Sequence, residues 1–461
     1  MATPLNAEIF REYDIRGVVG KDFDEAFAFG LGQAFITYLQ TKAGADKNPV
    51  VTVGHDARLS SPSLAKAMCE GLQSRGARVI FLGLVTTPIS YFSMFQLDNP
   101  AGGIMITGSH NPPEYNGFKV SVGKSTIYGA EIQELYKIMA GGNKGESSTK
   151  GAYTTFNIFD DYVARYKEEF KNMPDVKVVL DCGNGAAGCI VRRLFEGVGL
   201  KPVILFEEPD GRFPNHHPDP TVEKNLDALK KAVREHKAAI GIGFDGDADR
   251  VGIVDSEGRF VQGDELMVVV SRAILKDKPG AKIIGDVKCS DRLYDDIKQK
   301  GGVPIMWKTG HSLIKTKIKE EKAPFGGELS GHVFFADRNY GYDDALYAGL
   351  RMVEIVGRSG KSLSQLLEGF PPAFNTPEIR IDTTEDKKRS IVEKLRSIYK
   401  QDTADYKVNL IDGVRISYKD GWALARASNT QPVLVLRFES TSAEGLKRIQ
   451  NEIESIVNPL L

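Results

Sequence analysis

Three related α/β domains followed by a smaller α+β C-terminal domain, arranged around a central cleft, is the fold this sequence predicts. At 461 residues the chain is too long for one hydrophobic core. A strand-helix-strand pattern recurs three times at intervals of roughly 100 residues or more, which argues for repeated domains rather than one large sheet. After a Pro-Pro stop in Glu368 to Phe374 the pattern changes to short strands flanked by two helices.

In order, Val50 to Val53 reads as a buried strand. A helix follows, with Ser61 as N-cap and Pro62 at its first position, and then a second strand, Arg78 to Leu84. The unit repeats as Val176 to Leu180, a glycine-rich turn, a helix through Arg192 and Arg193, and the strand beginning at Pro202. It repeats again as Ala281 to Val287, a helix around Leu293, and Val303 to Trp307. The polar, glycine-rich stretch Gly141 to Gly151 reads as a linker, and a softer boundary falls near Ser256. These signals give domains 1–150, 151–256, 257–369 and 370–461, the last with helices from about Lys387 to Tyr399 and from Ala443 to Val457. The Gly369 to Pro372 junction offers a hinge before the last domain.

Lys plus Arg total 60 against 61 for Asp plus Glu, so no bulk field draws the chain to nucleic acid or anionic lipid, and anionic ligands need local charge. No apolar run approaches the roughly 18 residues of a membrane span, and the start lacks a signal-peptide pattern. A cytoplasmic monomer is the expectation. Cys69, Cys182, Cys189 and Cys289 have no CxxC spacing and read as buried thiols rather than a zinc site or a disulfide framework.

Four stretches carry candidate chemistry. Thr107 to Lys119 (TGSHNPPEYNGFK) leaves a buried strand and presents Ser109 between a glycine and a histidine, a hydroxyl suited to carry a phosphoryl group or to cap a turn. Asp245, Asp247 and Asp249 alternate with Gly246 and Ala248. Fully extended, such carboxylates lie about 7 Å apart. The small residues allow the chain to curl, and a hard divalent cation, Mg²⁺, makes three converging carboxylates tolerable. An EF-hand is disfavoured, since Arg250 and Ser256 stand where glycine and glutamate are required. Asp245-x-Asp247 also matches a haloacid dehalogenase-type nucleophile pair, a reading that leaves the serine loop unexplained.

Gly326 to His332 (GGELSGH) follows in sequence, and Arg426, Ser428, Asn429 and Thr430 form a loop of phosphate-oxygen donors. Lys288, His311 and His332 are candidates for phosphate contact or proton transfer, and Tyr13 and Arg16 are equally a ligand pair or a solvated first strand. Gly183, Gly185 and Gly188 match GxGxxG, the mark of a nucleotide-dependent oxidoreductase. Asp181 would oppose a pyrophosphate there, so a tight turn without a ligand is the preferred reading.

Together these stretches resemble the α-D-phosphohexomutases along essentially the whole chain, most of all their bacterial phosphomannomutase/phosphoglucomutase branch. The resemblance implies that Ser109 is the phosphoserine and that its phosphate is the fourth ligand beside Asp245, Asp247 and Asp249. It implies Glu328 and Ser330 on sugar hydroxyls, Arg426, Ser428, Asn429 and Thr430 on the phosphate that is not transferred, and Arg250 as a second cation at the reacting group. Lys119 and His332 would be the general acid/base pair, each with a pKa brought toward working pH. The reaction implied interconverts hexose 1-phosphate and hexose 6-phosphate through a hexose 1,6-bisphosphate, which also serves as activator. Leu329, where glucosamine-phosphate mutases carry glutamine, favours mannose or glucose as the sugar. A phosphoglucosamine mutase and a catalytically silent sugar-phosphate binder are the alternatives.

Overall fold

The computed structural model describes residues 5–142 and 149–461. Part of the linker expected at Gly141 to Gly151 therefore lies outside the described residues. Within them the chain divides into two compact units. One runs to Gln262 and also takes Ser330–Phe335 and Tyr342–Leu366; the other comprises Gly263–Leu329, Ala336–Gly341 and Leu367–Leu461.

The first unit holds two mixed sheets. One is ordered Ile15–Val18, Tyr115–Val122, Gly102–Ile106, Val50–His55, Arg78–Leu84 and Tyr153–Thr155, with Ser125–Thr126 paired to its second strand. Val50–His55 runs parallel to both Arg78–Leu84 and Gly102–Ile106, as crossover helices require. The other is ordered Phe260–Val261, Val251–Asp255, Ile240–Phe244, Val178–Asp181 and Val203–Leu205. Its central strands Val178–Asp181 and Ile240–Phe244 are buried along their whole lengths, which accounts for their continuously apolar runs.

In the second unit Lys282–Asp286 lies between Val303–Trp307 and Phe325–Gly327, all parallel. The C-terminal sheet is antiparallel, from Val433–Ser440 through Gly421–Ala427 and Val414–Tyr418 to Tyr406–Asn409. Helices Glu385–Ile398 and Ala443–Val457 bury Ile391, Leu395, Ile449 and Ile453 in its core. The architecture is thus three α/β domains and an α+β C-terminal domain.

Two expectations change. The helix at Pro62 is Ser61–Ser74 with Ser60, not Ser61, at the N-cap. Ser61 instead donates its hydroxyl to Asp56 Oδ1 at 2.5 Å, a buried tertiary bond that outcompetes local capping. The Gly369 to Pro372 junction is pinned: Arg272 donates to Glu368 O at 3.0 Å, Arg292 donates to Pro371 O at 2.5 Å, and the Arg292 guanidinium stacks 4.6 Å from the Phe370 ring.

Helix Ser61–Ser74 crosses helix Glu25–Thr41 so closely that a Cβ on Gly71 would sit 2.1 Å from Phe29 O. Backbone on both sides leaves no flexible group to yield. Gly71→Ala should therefore destabilise the first unit by about 1–3 kcal/mol despite alanine's better helix propensity, read as a lowered unfolding midpoint with the C-terminal domain unaffected.

Candidate active site

Four of the groups singled out in the sequence follow the C-terminal ends of parallel strands, the edge where open α/β sheets present ligands. Ser109 follows Gly102–Ile106, Asp245 follows Ile240–Phe244, Lys288 follows Lys282–Asp286 and Glu328 follows Phe325–Gly327.

Ser109 has φ of 48°, the left-handed region that a non-glycine residue occupies only when its surroundings hold it there. The holder is Arg58, whose side chain is 0% exposed. Its guanidinium donates to Ser109 O at 2.8 Å, Asn111 O at 2.5 Å, Pro112 O at 2.5 Å and Tyr115 O at 2.9 Å. Asp56 supplies the counter-charge, 3.2 Å from Arg58 Nε, and accepts from Thr107 Oγ1 at 2.8 Å and Gly108 N at 3.2 Å. A Cβ on Gly108 would lie 2.4 Å from Arg58 Nε, so only glycine lets the loop close over the guanidinium. Arg16 adds a second brace, donating to Gly108 O at 2.9 Å and Asn111 Oδ1 at 3.1 Å, while Tyr13 is buried just ahead of the Arg16 strand. Of these loop holders only Arg16 was singled out in the sequence.

The Ser109 hydroxyl donates to Asp245 Oδ2 at 3.0 Å and lies 3.2 Å from His110 Nδ1. Burial, then the Arg250 charge, holds His110 well below the usual histidine value, so it is neutral. The backbone of the aspartate loop reaches Ser109 because Gly246 has no side chain: a Cβ there would meet Ser109 O at 2.4 Å.

The curl expected of Asp245 to Asp249 is present, with Ala248 at φ 60° and one oxygen from each aspartate within 4.8 Å of the others. All three are 0% exposed. Burial, followed by repulsion from Asp247 and Asp249, pushes the Asp245 carboxyl well above its ordinary value. Asp247 Oδ1 and Asp249 Oδ1 are buried without a hydrogen-bond partner. Unspent carboxylate oxygens in an all-oxygen cluster fit a hard divalent cation. Thr87 fastens this loop, donating from Oγ1 to Asp247 Oδ2 at 2.6 Å and from its amide to Asp247 O at 2.9 Å.

Lys119 Nζ is 3.0 Å from Asp247 Oδ2 and also bonds Asp249 Oδ2. Burial opposes its charge, but Asp247 and Asp249 outweigh burial and raise its pKa well above the usual lysine value. This is the reverse of the shift expected of a proton-transfer group. A cation on the same carboxylates would weaken the field that raises it.

Arg250 Nε donates to His332 Nε2 at 2.9 Å. An arginine N–H can only donate, so Nε2 accepts, and Nδ1 carries the imidazole proton 3.2 Å from Asp343 Oδ2. His332 Nδ1 is 3.6 Å from Asp249 Oδ1. Asp249, His332 and Asp343 are close enough to ligate an ion, but a protonated Nδ1 has no lone pair to give one, and the two carboxylates stand beside it as counter-charges. Asp343, fully buried beside His332, belongs to no motif of the sequence. Ser330 lies two residues before His332 in the same unit.

The second unit holds the other candidates. Lys288 Nζ is 3.3 Å from Glu378 and 3.9 Å from Asp286. Arg426 Nε donates to Asp412 Oδ2 at 3.2 Å. Glu328 accepts from Gly310 N at 2.5 Å, and His311 follows at the start of helix His311–Glu321, buried. Ser428 Oγ accepts from the amides of Thr430 and Gln431 at 3.3 Å, folding the loop so that Asn429 and Thr430 are exposed. Glu378 and Asp412 were not anticipated.

The GxGxxG turn serves packing. Asn184 N donates to Phe206 O, Gly185 N to Cys182 O and Ala186 N to Gly246 O, so the amides a pyrophosphate would need are spent, the last of them on the aspartate loop. Arg192 occupies Glu207, the carboxylate a ribose would need. Beside the turn, His216 Nε2 lies 3.1 Å from Asp181 Oδ1, and its Nδ1 lies 2.9 Å from His217 O.

Two predictions follow from this geometry. Arg58→Lys keeps a charge but cannot serve four carbonyls, and each orphaned buried group costs about 1–3 kcal/mol; amide hydrogen exchange across 107–116 should accelerate at least tenfold. A wild-type exchange pattern would show that the loop holds itself. In His216 both ring nitrogens face acceptors. Burial opposes its protonation, but the Asp181 bond and charge outweigh burial and raise its pKa above 6.5. The ion pair should therefore stabilise fully below about pH 6.5 and fade as pH climbs through the raised value. Wild type minus His216→Gln stability, measured from pH 5 to 9, should fall with rising pH; a flat difference excludes the pair.

Four family models match the chain in succession. They are the phosphoglucomutase/phosphomannomutase alpha/beta/alpha domains I over residues 7–146, II over 160–258 and III over 262–374, and the C-terminal domain over 378–456. A phosphomannomutase/phosphoglucomutase of Pseudomonas syringae is 45% identical over 450 residues, covering 98% of this chain and 95% of its own length. A phosphoglucomutase of Neisseria gonorrhoeae is 40% identical over 99% of this chain and 98% of its own length. The crystal structure of a phosphoglucomutase/phosphomannomutase family protein from Burkholderia thailandensis superposes with a TM-score of 0.89 at 42% identity, covering 99% of this chain and 98% of that one. With every part of the fold matched in order and full-length relatives at this identity, the chain belongs to the phosphoglucomutase/phosphomannomutase family of phosphohexomutases.

Proposed function

We propose that this protein is an isomerase that interconverts hexose 1-phosphate and hexose 6-phosphate, with mannose or glucose as the sugar, through a phosphorylated Ser109 and a hexose 1,6-bisphosphate. The observation that carries the reading is the Ser109 hydroxyl, held in a left-handed backbone 3.0 Å from the first of three converging buried aspartates. The names of the full-length relatives support the same substrates.

In the forward half-reaction the bond from Ser109 Oγ to phosphorus breaks, and a bond from phosphorus to the free sugar hydroxyl forms. The hydroxyl proton passes to a base and a proton is taken up by the departing Ser109 Oγ; in the return transfer Ser109 gives up that proton, gains the phosphoryl group from the other end of the bisphosphate, and the sugar oxygen released is protonated. Mg²⁺, held by Asp245, Asp247, Asp249 and an oxygen on Ser109, would neutralise charge on the transferring group. Arg58, Asp56 and Arg16 fix the serine so that little reorganisation is needed at transfer. His110, kept neutral, faces Ser109 Oγ and steadies it. His332, oriented by Asp343, takes or returns the hydroxyl proton at Nε2 once Arg250 turns its guanidinium to the phosphoryl oxygens. Lys119, bonded to Asp247 and Asp249, is the other group that can carry the hydroxyl proton, since a cation on the same carboxylates weakens the field that raises its pKa. In the second unit Lys288, Arg426, Ser428, Asn429 and Thr430 bind the phosphate that is not reacting, Glu328 reads a sugar hydroxyl, as does Ser330 of the first unit, and His311 is a further donor.

The protein with Mg²⁺ and a trace of glucose 1,6-bisphosphate should convert glucose 1-phosphate or mannose 1-phosphate to the 6-phosphate. Its intact mass should rise by about 80 Da on treatment with the bisphosphate. Ser109→Ala should abolish the mass shift and cut turnover on the order of a thousandfold or more. Failure of wild type on both sugars, or near-normal turnover by Ser109→Ala, rejects the reading.

A further inference from the structure

Lys288 and Arg426 each already face an anion, and the anions are held in different ways. Asp286 is fixed by the protein: it accepts from Thr309 Oγ1 at 2.9 Å and Leu329 N at 3.3 Å and is 0% exposed. Asp412 Oδ2 accepts from Thr309 N at 3.1 Å as well as from Arg426. Glu378, in the segment between strands Phe374–Asn375 and Ile379–Asp382, is held by two long side chains, Lys288 Nζ at 3.3 Å and Arg380 Nη1 at 2.7 Å. Its side chain is 24% exposed against 7% for Lys288. Burial resists its ionisation, but Lys288, Arg380 and Arg426 outweigh burial and hold its carboxyl at about 2, so it is an anion at neutral pH. Of the three carboxylates, Glu378 alone can leave without breaking a bond to the backbone.

We propose that Glu378 is a built-in substitute for the substrate phosphate, a carboxylate that neutralises Lys288 in the empty protein and gives way when a sugar phosphate engages Lys288 and Arg426. This rests on the phosphate-binding reading of those two residues. A buried ammonium is costly unless closely paired, and Asp286 stands 3.9 Å from Lys288 without a hydrogen bond, so the empty site keeps a nearer counter-ion. A phosphate reaching the same ammonium meets the repulsion of that counter-ion and must break its ion pair, so the grip is weaker than the cations alone would give. On release the carboxylate recaptures Lys288. That arrangement suits an intermediate whose two phosphates must exchange places, since a clamp that bound either one too tightly would hold the sugar in one orientation. Glu378 is thus a positioning residue that sets affinity through Lys288.

The expected sign separates this role from structural damage, because loss of a merely structural residue weakens binding. In full-length protein carrying Ser109→Ala to prevent turnover, Glu378→Gln should tighten inorganic phosphate and glucose 1-phosphate by about tenfold in titration calorimetry, from removal of one close negative charge. With Ser109 restored, KM should fall and kcat should fall with it as release slows. Glu378→Ala, which leaves no amide to bond Lys288, must move in the same direction, and either variant suffices if the other does not fold. Unchanged or weakened phosphate binding in a variant with a wild-type unfolding profile overturns the proposal. Phosphate binding needs no turnover, so a wild type inactive on hexose phosphates would overturn the mutase reading while the phosphate titration still decides the role of Glu378.

Discussion

The guanidinium of Arg58 is the interaction on which the first unit's chemistry rests. A side chain with no exposed surface gives its N–H groups to four carbonyls of one loop and its charge to Asp56. Burial lowers its pKa and Asp56 offsets that shift, so the charge survives where water does not reach. The result is a loop whose central serine holds a left-handed backbone, a conformation costing about 1–3 kcal/mol that must be supplied by its surroundings. Gly108 and Gly246 serve the same end: one admits the guanidinium beneath the serine, the other admits the serine carbonyl onto the aspartate loop.

Around that fixed point lies a concentration of buried charge that would be unstable in any other arrangement. Asp245, Asp247 and Asp249 repel one another in a place without solvent, and Lys119 relieves part of that repulsion at Asp247 and Asp249. A divalent cation would supply the same relief. The same logic governs Arg250, His332 and Asp343, where the arginine fixes which imidazole nitrogen is protonated and the aspartate lies 3.2 Å from that nitrogen.

The second unit holds buried cations by the complementary means. Lys288 and Arg426 are buried but never bare, each matched to carboxylates. The Lys288 loop is also tied to the C-terminal sheet, for Arg437 donates to Lys288 O and Arg415 donates to Val287 O while stacking 3.7 Å from the centre of the Trp422 ring. Backbone rigidity around exchangeable side-chain ion pairs is the recurring design in both units.

The sequence by itself determined the strand-helix-strand repeats, the change of pattern after Phe374, and the loops carrying Ser109, the three aspartates, Glu328 and Arg426. Those features are local, written in periodicity, in glycine spacing and in short motifs. Tertiary structure alone decided the rest. Arg58 and Asp56 lie some 50 residues before the loop they hold, within a helix approach that looked self-contained, and Ser61 left its expected cap to join them. Asp343 meets His332, and Thr87 meets Asp247 across 160 residues, through contacts that no spacing announces. The pKa of Lys119 went the other way from its expected shift because its sign depends on which carboxylates end up beside it. A sequence displays which groups can carry charge; only the fold fixes which charges are neighbours, and in a buried site that distance sets protonation, ion binding and conformation together.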